Sequence, residues 1–95
     1  MEKALRQASA DNVRQTNKHI VYILLCNDGT HYVGCTRDLN ERMRRHTAGL
    51  IYYTKARLPV RLLFYAVFED GNRAFEFERY LKSGSGRAFA RKHLY

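Results

Sequence analysis

No run of apolar residues in this chain approaches the ~18 needed to cross a bilayer as a helix. The opening stretch "MEKALRQASADNVRQTNK" also lacks the apolar centre of a secretory signal. Both absences point to a soluble globular domain, with the cytoplasm as its expected place and no membrane partner. Cysteine is scarce, Cys26 and Cys35 being the only two. Two cysteines without paired histidine spacing make no zinc site. Placed near opposite ends of a hairpin they are too far apart to join, so both are expected as reduced, partly buried packing residues. Internal repeats and low-complexity tracts are missing as well. Acidic residues are in deficit, 9 against 17 Lys plus Arg, which leaves a formal charge of +8. A surface that basic attracts a polyanion, because neutralised phosphates release their condensed counterions. The cationic clusters "ERMRRH" and "ARKH" carry no long amphipathic pattern of the membrane-surface type, which ranks nucleic acid ahead of anionic lipid.

What is present fits one domain. A chain of 95 residues buries roughly 60% of its unfolded surface, so any site must be built from few elements. Residues 20–26 are β-branched, aromatic and leucine-rich, and "HYVGC" follows an Asn-Asp-Gly turn, a β-hairpin pattern. A two-residue Asp28-Gly29 loop would put Tyr22 and Tyr32 on opposite faces. A three-residue Asn27-Asp28-Gly29 loop pairs Tyr32 with Leu24 and returns both tyrosines to one face. Pattern alone leaves both loops open.

In "TRDLNERMRRHTAG", Asp38 caps a helix with Glu41 three residues on, and Gly49 stops it. Leu39 and Met43 form its apolar side; Arg42 and His46, four apart, share a neighbouring side. "LIYYTKARLP" has no clean period and reads as a loop of about ten residues carrying the cations Lys55 and Arg57. "VRLLFYAVF" is a strand apolar enough to be central in a small sheet. Asn72 then caps the helix "RAFEFERYLK", "SGSG" ends it, and "RAFARKHLY" forms a short basic closing helix. Ala74, Phe77, Glu78 and Leu81 fall at i, i+3, i+4 and i+7, so Glu78 lands on the stripe meant for the core. A carboxylate facing inward must be paired or hold a metal to offset its desolvation. Residues 1–18 read as a flexible polar arm outside the domain formed by residues 19–95.

Phosphodiester hydrolysis requires an activated water, a cation on the phosphate and stabilisation of the leaving oxygen. Tyr22, Tyr32, Arg42, His46 and Glu78 can supply these parts. At this point the sequence resembles the GIY-YIG nucleases, in particular their small single-domain members. "IVY" at 20–22 and "YVG" at 32–34 stand for the two triplets, and the likeness runs on through "TRDLNERMRRH" and "RAFEFERYLKSGSGRAFARK". Each triplet alone is a weak motif; their order with the Arg-x-x-x-His helix and the late glutamate is strong.

The resemblance implies an α/β (α+β) fold, a central three-stranded antiparallel sheet flanked by helices in the order β-β-α-β-α-α. It implies one divalent metal, Mg²⁺ or Mn²⁺, with Glu78 as the metal ligand. Arg42 matches the arginine that steadies the scissile phosphate, Tyr22 the tyrosine that helps activate water, and Tyr32 its partner. His46 holds a position that is histidine or tyrosine in relatives, which leaves two candidate proton acceptors, Tyr22 and His46; His46 ranks first, with Tyr22 as relay, since a free phenol of pKa about 10 is a poor base at neutral pH. Because both tyrosines line one site in the family, the resemblance selects the odd-length loop. Ile20 stands for the first glycine, and Cys35 for a lysine of some relatives, a phosphate contact that Lys55 would take over. Some relatives also carry an asparagine after the glutamate helix, which "GRAFARK" lacks. The expected activity is metal-dependent endonucleolytic cleavage of DNA, structure-specific and linked to DNA repair or recombination, with RNA as a second candidate strand. Lys55, Arg57, Lys82, Arg87 and Arg91 are the expected phosphate contacts. The rival readings are a nucleic-acid-binding module without turnover and an accessory subunit that needs a protein partner for specificity.

Overall fold

The computed structural model describes residues 18–95, so the expected arm lies outside the described residues apart from Lys18, which pairs with Glu69 at 2.6 Å. Three strands, β1 (His19–Leu25), β2 (His31–Thr36) and β3 (Arg61–Phe68), form one antiparallel sheet in the order β2-β1-β3. Four helices complete the described chain: α1 (Leu39–Thr47), α2 (Tyr52–Lys55), α3 (Gly71–Lys82) and α4 (Gly84–His93). The sheet flanked by helices is the α+β arrangement expected.

The hairpin register follows from its turn. Leu24 pairs with Tyr32 and Tyr22 with Gly34, and Cys26 N–H donates to the Thr30 carbonyl across the end. That closes the three-residue loop Asn27-Asp28-Gly29, with Gly29 at φ 86°, a conformation that suits glycine because it has no Cβ. Side chains alternate across the strand. Ile20, Tyr22 and Leu24 therefore line one face with Leu39 and Met43 of α1, and Val21 and Ile23 line the other with Ala74 and Leu81 of α3 and Ala90 of α4. Five successive residues, Ile20 to Leu24, are buried, each large apolar side chain contributing on the order of 1.5–3 kcal/mol.

Four local expectations are corrected. β3 is an edge strand, and β1 is central; the apolar run of β3 reflects helices over its face, not strand order, and Val67 projects outwards at 46% exposure. The ten-residue loop contains the helix α2, one turn too short to show a period, which makes the order β-β-α-α-β-α-α. Asp70, not Asn72, caps α3, its carboxylate accepting from the Asn72 N–H at 2.9 Å. "SGSG" is not a spacer: Ser83 alone breaks α3 and caps α4, its hydroxyl accepting from the Gly86 N–H, so α4 starts at Gly84. At α1 Asp38 accepts from the Glu41 N–H at 3.0 Å as expected. The Glu41 carboxylate turns instead to Arg44, accepting two hydrogen bonds at 3.0 and 2.8 Å, so half of the capping box is made. Both cysteines are free, Cys26 buried and Cys35 half-buried. No helix among the described residues is long and apolar enough to cross a membrane.

Candidate active site

Tyr22 crosses to its strand neighbour Gly34, where no side chain stands in the way: a Cβ built on Gly34 would lie 2.5 Å from the Tyr22 hydroxyl oxygen. The glycine of the second triplet thus clears space for the tyrosine of the first. Tyr32, two residues along and on the same face, sits with its ring centroid 6.2 Å from that of Tyr22. From the facing helix α1, His46 reaches Tyr22 with Nε2 2.9 Å from the hydroxyl oxygen, and Arg42, one turn earlier, donates to the same oxygen at 3.5 Å. The other ring nitrogen of His46, Nδ1, lies 2.8 Å from the hydroxyl of Thr54 on α2.

These contacts make one chain, from half-buried Arg42 to the buried Tyr22, His46 and Thr54. Arginine only donates, so the Tyr22 oxygen accepts at that end. Either tautomer of His46 keeps both ring nitrogens bonded, so a change of tautomer is a shift of protons along the chain. Burial raises the Tyr22 phenol far above its ordinary range, an effect partly offset by the hydrogen bond from Arg42. Burial first, then the cations Arg42 and Arg45, pushes His46 down to about 4. Phenol and imidazole are therefore both neutral at pH 7.

The His46 shift has a consequence for stability. Its folded-state pKa lies below the unfolded value of 6.5, so the unfolded chain binds the extra proton between the two. The stabilisation is complete above 6.5 and is lost as pH falls towards about 4. Urea melts should show this site costing about 2 kcal/mol between pH 7 and pH 5, a loss that a His46→Asn variant does not share. Equal pH slopes in the two proteins would contradict the burial of a neutral imidazole.

The four residues Tyr22, Tyr32, Arg42 and His46 are brought together as the sequence suggested. Their exposure separates them: Tyr22 and His46 are 0% exposed, whereas Tyr32 and Arg42 are half-buried. Glu78 stands apart. It lies on α3, which packs on the Val21 and Ile23 face, and its side chain, 17% exposed, accepts from Lys82 at 3.0 Å. Burial first, then the charge of Glu78, raises the Cys35 thiol on the edge strand β2, and Arg42 opposes the shift. Glu78 is thus partly inward and paired, as a carboxylate on the core stripe must be, but it makes no hydrogen bond to the four. No group of three or more His, Cys, Asp or Glu gathers among the described residues.

Of the expected phosphate contacts, Lys82, Arg87 and Arg91 are exposed and line one cavity of ≈ 520 Å³ together with Tyr32. Lys55 is exposed, its ammonium 5.3 Å from the Tyr52 ring. Arg57 is largely occupied, donating to Asp28 at 3.0 Å and lying 4.0 Å over the Tyr53 ring. Thr54 is the member of this hydrogen-bonded chain that the sequence did not disclose. It lies in the stretch without a period, and only the fold places it beside His46.

Comparison with known proteins places the chain in a family. Residues 18–92 match the model of the GIY-YIG catalytic domain. A UPF0213 protein of Bacillus cereus is 39% identical over 69 residues, 72% of either chain. A UPF0213 protein of Streptococcus pyogenes is 42% identical over 74 residues, 77% of this chain and 80% of its own. The solution NMR structure of a UPF0213 protein from Bacillus halodurans superposes with a TM-score of 0.52 at 33% identity, covering 79% of this chain and 83% of that one. With a family match over residues 18–92 and relatives of 39–42% identity over most of their length, this chain belongs to the GIY-YIG family of nuclease domains.

Proposed function

We propose that the protein is a divalent-metal-dependent endonuclease that hydrolyses phosphodiester bonds in DNA. The observation that carries this reading is the half-buried pair Arg42 and Tyr32 standing in front of the closed Tyr22–His46–Thr54 chain, on a molecule of charge +8. Arg42 binds the non-bridging oxygens of the scissile phosphate, for which a planar fork of donors is suited. Tyr32 is the phenol that solvent reaches, and it orients the attacking water. Tyr22 has no exposed surface, so it acts through Arg42 and Tyr32. His46, neutral down to about pH 4, holds the Tyr22 hydroxyl in place and is too weak a base to keep the proton. Glu78 fits a Mg²⁺ or Mn²⁺ ion as its one protein ligand, because such ions keep several waters and complete their shell with substrate phosphate oxygens. When bound, the ion supplies charge neutralisation at the phosphate and a more acidic water.

A second reading, binding without turnover, is favoured by one observation: the carboxylate of Glu78 is already paired with Lys82. Purified protein incubated with supercoiled plasmid separates the two. The nuclease reading expects nicks with Mg²⁺ or Mn²⁺ and none in EDTA; binding with no nicking under any metal would establish the alternative. Binding in EDTA should weaken steeply as salt rises from 50 to 200 mM, by on the order of 10³-fold if six phosphates are engaged. A flat salt response would remove the phosphate contacts from the account.

A further inference from the structure

The ≈ 520 Å³ cavity along the free edge of β2 is lined by two kinds of group. Lys82, Arg87 and Arg91 are cations, all exposed, the two arginines one helical turn apart on α4. Aromatic rings are the other kind. Tyr53 is 36% exposed and packs 5.6 Å from Tyr32, and Tyr95 is 42% exposed and stacks face to face on His31, centroids 4.3 Å apart at 16°. Ile23, Leu81 and Ala90 also line the cavity.

Cations serve phosphates, but flat rings beside them serve a different group. In a duplex the faces of the bases are covered by their neighbours, and only edges and backbone are offered to a protein. A base can lie against a tyrosine only after leaving its stack, and alternating cations and aromatic faces are what unpaired strands bind. The volume falls within the range of small-ligand pockets, and Tyr32 ties the cavity to the catalytic cluster. We propose that this cavity receives an unpaired nucleotide next to the scissile phosphate, its base stacked on Tyr53 or Tyr95 and its phosphates held by Lys82, Arg87 and Arg91. The substrate is then a strand with a single-stranded segment at the cut. The inference rests on the nuclease reading for its position relative to the cut, and on the cavity alone for the base.

The test is binding by fluorescence anisotropy in EDTA, with the full chain and two labelled oligomers of equal length: an oligothymidine and a strand of abasic residues carrying the same phosphates. The oligothymidine should bind about tenfold more tightly. Tyr95→Ala and Tyr53→Ala should each reduce that preference several-fold without changing affinity for the abasic strand, and Tyr95→Phe should retain it. Oligouridine against abasic RNA reports the same pocket for the other sugar, and a base preference in either series supports it. Equal affinity for base-bearing and abasic strands, or a preference that survives both alanine substitutions, overturns the proposal. Plasmid nicking without base preference would refute the pocket and leave the nuclease standing. Base preference without cleavage under any metal would refute the nuclease and leave the pocket standing.

Discussion

Glu78→Gln should abolish metal-dependent cleavage, lowering the single-turnover rate by about a thousandfold or more, while the protein folds and binds DNA in EDTA as the wild type does. The substitution keeps the shape of a side chain that is 17% exposed and removes only the charge. A neutral amide is a poor ligand for a hard cation that prefers carboxylate and water. Stability is little affected, because the lost ion pair with Lys82 is an i,i+4 pair with Lys82 itself 52% exposed, a class that contributes about 0.3–0.5 kcal/mol. Two readouts are needed: the urea midpoint, expected within experimental scatter of wild type, and cleavage across a range of Mg²⁺ and Mn²⁺ concentrations. Cleavage within tenfold of wild type at any metal concentration would show that Glu78 is a structural member of the pair with Lys82 and that the metal is held elsewhere.

That prediction rests on a residue whose position was legible only in part. Helical spacing put Glu78 on the stripe with Ala74, Phe77 and Leu81, and all three pack in the second core layer. Spacing says which way a residue faces on its own helix; it does not say against which side of a sheet the helix lies. α3 covers the face of Val21 and Ile23, opposite Tyr22, so carboxylate and phenols do not share one pocket on one face. The hairpin shows the reverse case. Two loop lengths were compatible with the local pattern, and family resemblance chose the one the structure contains, since Asn27, Asp28 and Gly29 fix a register that the strands alone do not. The apolar character of β3 was legible and its place in the sheet was not, because two packed faces give the same run at an edge as at the centre. Thr54 was invisible for a related reason. A one-turn helix has no period, and a threonine becomes part of the site only when tertiary packing brings it within 2.8 Å of His46.

The same contrast between local preference and tertiary demand governs Gly34→Ala. In a strand this change is ordinarily favourable, by about 0.4–1 kcal/mol, because alanine restricts the unfolded chain more than glycine does. Gly34 has no positive φ to protect; among the described residues only Gly29 and Gly49 do. Here the sign should reverse. The new Cβ would lie 2.5 Å from the Tyr22 hydroxyl oxygen, 2.6 Å from Cζ and 2.9 Å from Cε1. These atoms belong to a ring that is 0% exposed and tied to His46 at 2.9 Å. It therefore has no solvent to swing into. Either β2 backs away from β1, or the ring turns and leaves its hydrogen bonds with His46 and Arg42 unmade. Overpacking costs about 1–3 kcal/mol, and an unsatisfied buried group costs a similar amount. A cost of up to about 3 kcal/mol on either route is a large share of the ~5–15 kcal/mol that holds a domain together. Cleavage should fall by about a hundredfold even at temperatures where the variant is folded, since a displacement of ~1 Å at the reacting groups is enough for that. Chemical denaturation of Gly34→Ala, of Tyr22→Leu and of the pair supplies the decisive measurement. If the ring is the obstacle, Gly34→Ala will destabilise the wild-type background by several times more than the Tyr22→Leu background, a coupling that double-mutant analysis isolates. An equal cost in both backgrounds would mean that the glycine serves the strand itself, and that Tyr22 is not held by the cradle on which the catalytic arrangement depends.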